Sequence, residues 1–131
     1  MKLRLPYPPT ANHYKGRRRG GGYYLKPAAT EYHAAVAAMA HEAEGERPTG
    51  RLRVQVVVYP PTEKRGTDLD NSMKVFQDAL QRAGIIRNDA DIDWLEPIRG
   101  PRKYGGGVTV RITEVDPEAL ANRIKAIEEG E

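Results

Sequence analysis

Residues 64–74 read KRGTDLDNSMK, a polar loop with two aspartates that leads into an amphipathic helix. The helix is indicated by apolar side chains at helical spacing, which share one face. These side chains are Met73, Phe76, Leu80 and Ala83. Asp70 or Asn71 can cap the helix by accepting hydrogen bonds from the free N–H groups of its first turn. The stretch therefore predicts a loop followed by a helix over about residues 71–83.

Two carboxylates at the start of this helix are more than capping requires. Asp68 and Asp70 lie two residues apart, with Arg65 before them and Lys74 one turn beyond Asp70. Neighbouring carboxylates repel each other unless a cation lies between them, and their oxygens suit Mg²⁺ or Mn²⁺. The pair therefore indicates a divalent-metal site. The structural alternative is that Asp68 caps the helix, Asp70 pairs with Lys74, and the later acids are solvated.

The flanking segments predict one α/β (α+β) domain with a mixed sheet of about four strands and two main helices. Alternating apolar side chains predict strands at residues 3–7 and 51–59. An alanine-rich stretch predicts a helix at 27–44. Gly84 follows the helix of the opening stretch and fits the positive-φ position at a helix C-terminus.

The last third of the chain predicts two further strands and an extra C-terminal helix. Residues 94–99 and 107–115 alternate between apolar and polar side chains, as the two strands of a hairpin joined through the turn 103–106 would. Pro97 places the first of these strands at an edge or bulge of the sheet. The Asp-Pro pair at 116–117 fits an N-cap and the first residue of a helix. This helix has a thin apolar stripe, which can pack on the domain or on a partner. The stripe consists of Leu120, Ile124 and Ile127.

The composition limits the class of protein. A chain of 131 residues forms one domain with a core of its own. It has no cysteine, which excludes disulfides, thiolate metal sites and thiol nucleophiles. No apolar run reaches the roughly 20 residues that cross a bilayer, and no signal peptide follows Met1. We therefore expect a cytoplasmic protein without membrane contact.

Residues 10–26 are basic and rich in glycine and contain no acid. Such a stretch cannot bury itself, so we expect a mobile loop. Its arginines can neutralise phosphates and its tyrosines can stack on exposed bases, which indicates a nucleic-acid contact. The alternative is a solvated linker. Neither GxxxxGK[ST] nor GxGxxG occurs in the stretch, so we expect no nucleotide cofactor.

Other chemistries based on paired aspartates are excluded by spacing. A calcium-binding loop that begins at Asp68 or Asp89 would lack both the glycine and the glutamate it needs. A phosphoryl-aspartate enzyme would place its acid directly after a buried strand, whereas residues 64–67 intervene here. Metal-assisted hydrolysis of a phosphodiester remains, with Lys74 as a fixed positive charge near the phosphate or the leaving group.

Several segments around and after the acidic loop form one combined signature. Its central segments are DLDN at 68–71, Lys74, FQDAL at 76–80, AGII at 83–86 and ND at 88–89. Two further segments lie towards the ends, LPYPPTAN at 5–12 and VRITE at 110–114. Together they resemble a known family, the RusA-type Holliday junction resolvases. The resemblance covers most of residues 3–115, and the combination is far more specific than any of its pieces.

The resemblance implies a small homodimeric endonuclease that depends on Mg²⁺, with Mn²⁺ as a possible substitute. Such an enzyme cuts four-way junction DNA symmetrically in recombination and repair. The resemblance assigns Asp68, Asp70 and Asp89 as metal-binding catalytic acids and Lys74 as the catalytic lysine. One set of acids per chain requires two chains for two cuts, and a twofold dimer supplies them.

The chain departs from the family pattern at the last acid. The family usually has an acid directly before it, where this chain has Asn88, and Asp91 is the alternative holder of the role of Asp89. Residues 116–131 have no counterpart, so the C-terminal helix lies outside the resemblance.

The basic stretch, the loop before the acids and the family's junction-facing segment supply the candidate DNA contacts. These are Asn12, Lys15, Arg17, Arg18, Arg19, Tyr23, Lys26 and Arg65. Two other functions stay open. One is a noncatalytic binder of branched or single-stranded nucleic acid, in which the acids only cap and pair. The other is a related metal nuclease that acts on flaps or other branched DNA.

Overall fold

The computed structural model describes residues 1–10, 15–62 and 69–130, without the side chain of Asn71. The strands in this part of the chain are β1 (Lys2–Leu5), β2 (Lys15–Arg17), β3 (Tyr23–Leu25), β4 (Leu52–Tyr59), β5 (Ile92–Arg99) and β6 (Gly107–Glu114). The helices are α1 (Pro27–Met39), α2 (Leu69–Arg82) and α3 (Pro117–Glu128), with short 3-10 turns at Ala40–Glu42 and Asp89–Asp91. This is the mixed α+β architecture that the sequence predicts.

The main sheet has the strand order β1-β6-β4-β5. β4 is antiparallel to β6 and parallel to β5, so the chain must cross from one end of the sheet to the other between β4 and β5. Helix α2 makes this crossover. Residues that enter α2 therefore lie near the C-terminal end of β4. Residues that leave α2 lie near the N-terminal end of β5, which is the opposite end of these parallel strands.

The predicted hairpin between residues 94–99 and 107–115 is wrong, because β4 lies between these two strands. Val56 of β4 is aligned with Val110 on one side and with Pro97 on the other. The connection after β5 follows the end of β4, where the Gly100 N–H donates to the Val58 carbonyl at 2.9 Å. The most apolar strand thus takes the centre of the sheet. The prediction of an edge position for Pro97 is confirmed, since β5 is an outer strand.

The core lies between the sheet and the helices α1 and α2. The predicted inward side chains of β4 are all buried, namely Leu52, Val54, Val56 and Val58. From α2, Phe76 and Leu80 are fully buried, and each contributes about 1.5–3 kcal/mol through the apolar surface it removes from water. The predicted helix face is confirmed at Met73, Phe76 and Leu80, while Ala83 is only half-buried.

Helix α2 begins earlier than predicted and ends where predicted. Its first residue is Leu69, which packs against the core, so Asp70 lies within the first turn and is not the N-cap. At the other end Gly84 has φ +73°, and its N–H donates to the Gln81 carbonyl at 3.0 Å. The Ile85 N–H donates to the Leu80 carbonyl at 2.9 Å, which completes a Schellman motif.

The basic stretch is not the loop that its composition predicts, at least over residues 15–25. β2 and β3 pair antiparallel, with Gly16 opposite Tyr24. The tyrosine ring covers the glycine so closely that a Cβ there would collide with it, and Gly16 is buried although its neighbours are exposed. A short hairpin forms because the missing side chain of one strand accommodates the ring of the other.

Helix α3 is capped as predicted but is not packed into the domain. The Asp116 Oδ1 accepts a hydrogen bond from the Glu118 N–H at 3.1 Å, and Pro117 is the first helical residue. No residue of α3 is buried, and Ile124 and Ile127 are 48% and 60% exposed. In the part of the chain that the structure describes, no helix is long and apolar enough to cross a membrane.

Candidate functional site

Asp70 and Lys74 project from the first two turns of α2, and both side chains are exposed. A carboxylate in the first turn lies near the positive end of the helix dipole, which stabilises the helix. The four-residue spacing puts Lys74 on the same side of the helix, one turn further on. Within the described residues neither side chain forms an ion pair, so the pairing of Asp70 with Lys74 that the structural alternative requires is not made.

Asp68, Arg65 and Asn12 lie outside the described residues. Their roles as metal ligand and DNA contacts stay predictions.

Asp89 begins the 3-10 turn that follows α2, and its side chain is exposed. The turn is held by side chains. The Asp89 N–H donates to the Gln81 Oε1 at 3.3 Å, and the Ala90 N–H donates to the Asn88 Oδ1 at 2.9 Å. Asn88, which stands where the family usually has an acid, is therefore the cap of this turn. Among the described residues the carboxylate of Asp89 has no cationic partner.

Asp91 is much more constrained than Asp89. The Arg87 guanidinium donates to both of its carboxylate oxygens, at 3.1 and 3.2 Å, and the Arg51 Nη1 lies 3.8 Å from Oδ1. The hydrogen bonds from Arg87 hold the pKa of Asp91 below its ordinary value. A metal ion at Asp91 would have to displace these guanidinium groups, whereas Asp89 is unengaged. The geometry therefore favours Asp89 over Asp91 as the later acid.

Asp70 and Asp89 of one chain lie at opposite ends of α2. Asp70 is in its first turn, and the backbone of Asp89 contacts Gln81 near its last. The eleven residues from Asp70 to Gln81 span about 16 Å of helix axis. Ligands of one Mg²⁺ ion lie only about 2.0–2.1 Å from it. Within one chain these two carboxylates therefore do not share an ion. The described residues likewise contain no cluster of three acids or histidines that could hold a metal.

The β2–β3 hairpin presents the predicted basic residues to solvent. Arg17, Arg18 and Arg19 are exposed, and Tyr23 is 68% exposed. Lys15, also exposed, lies at the start of β2, and the half-buried Lys26 directly follows β3. The hairpin thus combines arginines that no acid of the described residues pairs with and an accessible aromatic ring, which suits contact with phosphates and exposed bases.

Sequence reasoning misses the residues that fix the turn of Asp89. Arg51 and Gln81 contact this turn from other elements, and nothing in their local sequence points to it. The sequence places Tyr104 in a turn without predicting that it is 97% exposed between β5 and β6. Its signal is available in the sequence, because a tyrosine after two basic residues and before three glycines fits no strand or helix face.

The domain thus carries exposed carboxylates at both ends of its crossover helix and an arginine-rich hairpin, a combination suited to a nucleic-acid enzyme. A family model described as endodeoxyribonuclease RusA matches residues 6–113. The crossover junction endodeoxyribonuclease of Enterobacteria phage HK97 is 36% identical over 113 residues, covering 86% of this chain and 92% of that protein. The chain therefore belongs to the RusA family of endodeoxyribonucleases, and the resemblance drawn from its motifs is confirmed.

Cellular relatives with the same description are more distant. The crossover junction endodeoxyribonuclease of Aquifex aeolicus strain VF5 is 28% identical over 110 residues, 83% of this chain and 85% of its own. That of Escherichia coli strain K12 is 28% identical over 117 residues, 88% of this chain and 96% of its own. The alignments thus cover 85% and 96% of these two relatives.

Proposed function

We propose that this protein is an endodeoxyribonuclease that resolves four-way DNA junctions by Mg²⁺-dependent hydrolysis of phosphodiester bonds. Membership of the RusA family supports the reaction class. The structural observation that carries the proposal is that two acids lack a cationic partner while two nearby acids are paired. Asp70 and Asp89 are exposed and without a cationic partner in the described part of the chain, while Asp91 and Asp93 are both bound to arginines.

The donor set fits a hard divalent cation. Asp70 and Asp89 offer carboxylate oxygens, the ligand type that Mg²⁺ and Mn²⁺ prefer, and Asp68 adds a third in sequence. When bound, the ion lowers the pKa of a water and neutralises charge on the phosphate. Asp68, Asp70 and Asp89 would hold it. The role of Lys74 is to bring a fixed positive charge to the phosphate or the leaving oxygen.

The separation of Asp70 from Asp89 implies that each complete site is built from two chains. A twofold dimer can set Asp68 and Asp70 of one protomer against the partner's Asp89, and symmetry then generates a second, identical site. Two such sites account for two symmetric cuts. The single chain presents half of each site, which supports a homodimer as the active form.

The DNA-binding surface of each chain includes the hairpin. Arg17, Arg18 and Arg19 neutralise phosphates and release counterions, and Tyr23 stacks on bases that the branch point leaves unpaired. The reaction needs no nucleotide cofactor. A chromosomal or phage DNA substrate makes the cytoplasm the site of action, in recombination and repair.

An immobile four-way junction provides the direct test. We expect paired nicks in opposite strands with Mg²⁺ and none without it, read on a denaturing gel. Stable binding without nicking in either Mg²⁺ or Mn²⁺ would support the noncatalytic binder instead. Equal cleavage of flaps, forks and junctions would indicate a metal nuclease with a broader choice of branched DNA.

A further inference from the structure

The turn that carries Asp89 is attached to the central strand by one side chain, that of Arg51. Its Nη2 donates to the Ala90 carbonyl at 2.8 Å, and its Nε donates to the Asp93 Oδ1 at 2.9 Å. Its Nη1 lies 3.8 Å from the Asp91 Oδ1. One guanidinium thus reaches a backbone carbonyl inside the turn and the two acids that follow Asp89.

Arg51 is itself fixed by the sheet. Its carbonyl accepts a hydrogen bond from the Val115 N–H at 2.9 Å, and the next residue, Leu52, begins β4. The pairing of β4 with β5 shifts at this point, where Leu52 is aligned with Ile92 and Arg53 with Trp94. Asp93 is the extra residue of this bulge, and Arg51 binds it. Bulges of this kind redirect side chains and are frequent beside active sites.

Asp89 differs from the two acids that follow it in its ion pairs. Asp91 is bound by Arg87 and Arg51, and Asp93 is bound by Arg51, whereas Asp89 has no cationic partner in the described chain. The Arg51 side chain is 55% exposed, and exposed ion pairs contribute little to global stability. The network holds the turn firmly and leaves only the first carboxylate available to a ligand.

We propose that Arg51 is a positioning residue for Asp89, which it holds in the geometry that the metal site needs. The inference rests on the proposed function, in which Asp89 is a metal ligand. The side-chain contacts of Arg51 in the described chain are with Ala90, Asp91 and Asp93, and not with Asp89 itself. Arg51 acts by fixing the Ala90 carbonyl and the carboxylates of Asp91 and Asp93. The turn is then already ordered when the Asp89 carboxylate binds the ion. Residues that orient metal ligands typically change metal affinity about 10–100-fold when they are replaced.

Arg51→Gln and Arg53→Gln form a matched pair of variants. Arg53 also links β4 to β5, through the Glu96 Oε1 at 2.8 Å, and its guanidinium lies 3.9 Å from the centre of the Trp94 ring. None of the contacts that the structure gives for it reaches the Asp89 turn. Any loss that comes only from weakening the β4–β5 contact should therefore appear in both variants.

The measurements are the Mg²⁺ dependence of junction cleavage and hydrogen exchange in the metal-free dimer. For Arg51→Gln we expect the Mg²⁺ concentration at half-maximal rate to rise about tenfold or more. Junction binding without metal should be unchanged, and excess Mg²⁺ should recover most of the rate. Exchange at the amides of residues 89–91 should also become faster. Arg53→Gln should match the wild type in every measurement. Arg51→Lys, which keeps the charge, should fall between the two.

The outcomes separate this inference from the proposed function. An Asp89→Asn variant without activity, together with Arg51→Gln at the wild-type Mg²⁺ requirement, would overturn the positioning role alone. Equal effects of Arg51→Gln and Arg53→Gln would show that the Arg51 contact only stabilises the sheet. That result would also overturn the positioning role. Wild-type cleavage by Asp89→Asn would remove Asp89 from the metal site, and both proposals would fail. Arg51→Lys and Asp93→Asn, which removes the partner carboxylate, provide the same test should Arg51→Gln unfold.

Discussion

Asp70 and Asp89, the two acids without a cationic partner around α2 in the described chain, lie at opposite ends of this helix. About 16 Å of helix axis separates Asp70 from Gln81, whose side chain binds the backbone of Asp89. The separation follows from topology. Because β5 is parallel to β4, the chain has to cross back along the sheet between them, and the residues that enter and leave α2 lie at opposite ends of these strands. A site that uses both acids must therefore draw them from different chains.

Mixing two inactive variants tests this arrangement. Asp70→Asn and Asp89→Asn should each abolish cleavage as pure dimers, because every composite site then lacks one carboxylate. A mixed dimer has one site with both acids and one with neither. We expect subunit exchange to restore nicking of one strand without restoring paired cleavage, measured on an immobile junction with both strands labelled.

The control for mixing is a doubly substituted chain. A mixture of the Asp70→Asn/Asp89→Asn variant with either single variant contains no complete composite site and should remain inactive. Each variant should still bind the junction, because metal ligands do not contribute to the phosphate contacts of the hairpin. Mixed single variants that stay inactive after verified exchange would place both acids in the site of the same chain.

The elements predicted from sequence are those that depend on local chemistry. The strand at 52–59 follows from four alternating apolar residues, and the end of α2 follows from the left-handed conformation that Gly84 adopts. The cap at Asp116 is equally local. Each of these signals lies within a few residues of the structure it predicts, so no knowledge of the remaining chain is needed.

The incorrect strand and loop predictions concern contacts that local alternation and composition do not encode. Residues 94–99 and 107–115 alternate as a hairpin would, but the central place of β4 depends on pairing with both of them at once. The hairpin of the basic stretch depends on the ring of Tyr24 over Gly16. Sequence motifs identify the acids as a set, whereas the parallel direction of β5 determines their distance.

Lys74 should contribute to the reaction without contributing much to binding. Its ammonium group is exposed one turn beyond Asp70, and no acid of the described chain neutralises it. For Lys74→Ala we expect single-turnover cleavage at saturating Mg²⁺ to fall about 10²–10³-fold, the range seen when one group that stabilises transition-state charge is removed. Junction affinity in the absence of metal should change much less than the cleavage rate, because binding is shared among many phosphate contacts.

The matched control is Lys125→Ala. Lys125 is an exposed lysine on α3, a helix that lies outside the matched family region. The Lys125→Ala variant should cleave the junction at the wild-type rate. Similar losses in both variants would indicate a general effect of net charge, and the assignment of Lys74 to the transition state would then be wrong.

The hairpin arginines should determine the salt dependence of binding. Each phosphate contact that is lost lowers the slope of log K against log salt by about 0.9. Replacing Arg17, Arg18 and Arg19 with alanine should therefore weaken binding to junction and duplex DNA alike and reduce the slope by about three. Fluorescence anisotropy at several salt concentrations provides the measurement. An unchanged slope would return the hairpin to the role of a solvated linker.

His33 on α1 should make the stability of the fold sensitive to mild acid. Burial lowers its pKa below the ordinary 6.5, and the nearby charge of Arg82 acts in the same direction, while Asp78, 3.5 Å from its Nε2, opposes them. The unfolded chain therefore takes up this proton at a higher pH than the folded protein does. The stability contributed by the neutral ring is complete above about pH 6.5 and is lost as the pH falls through the lowered folded pKa.

We expect the urea midpoint to fall more between about pH 7.5 and about pH 5.5 in the wild type than in His33→Gln. Apart from Asp78, which contacts His33, the carboxylates have the same surroundings in both proteins, so an equal fall would show that His33 is not the group responsible.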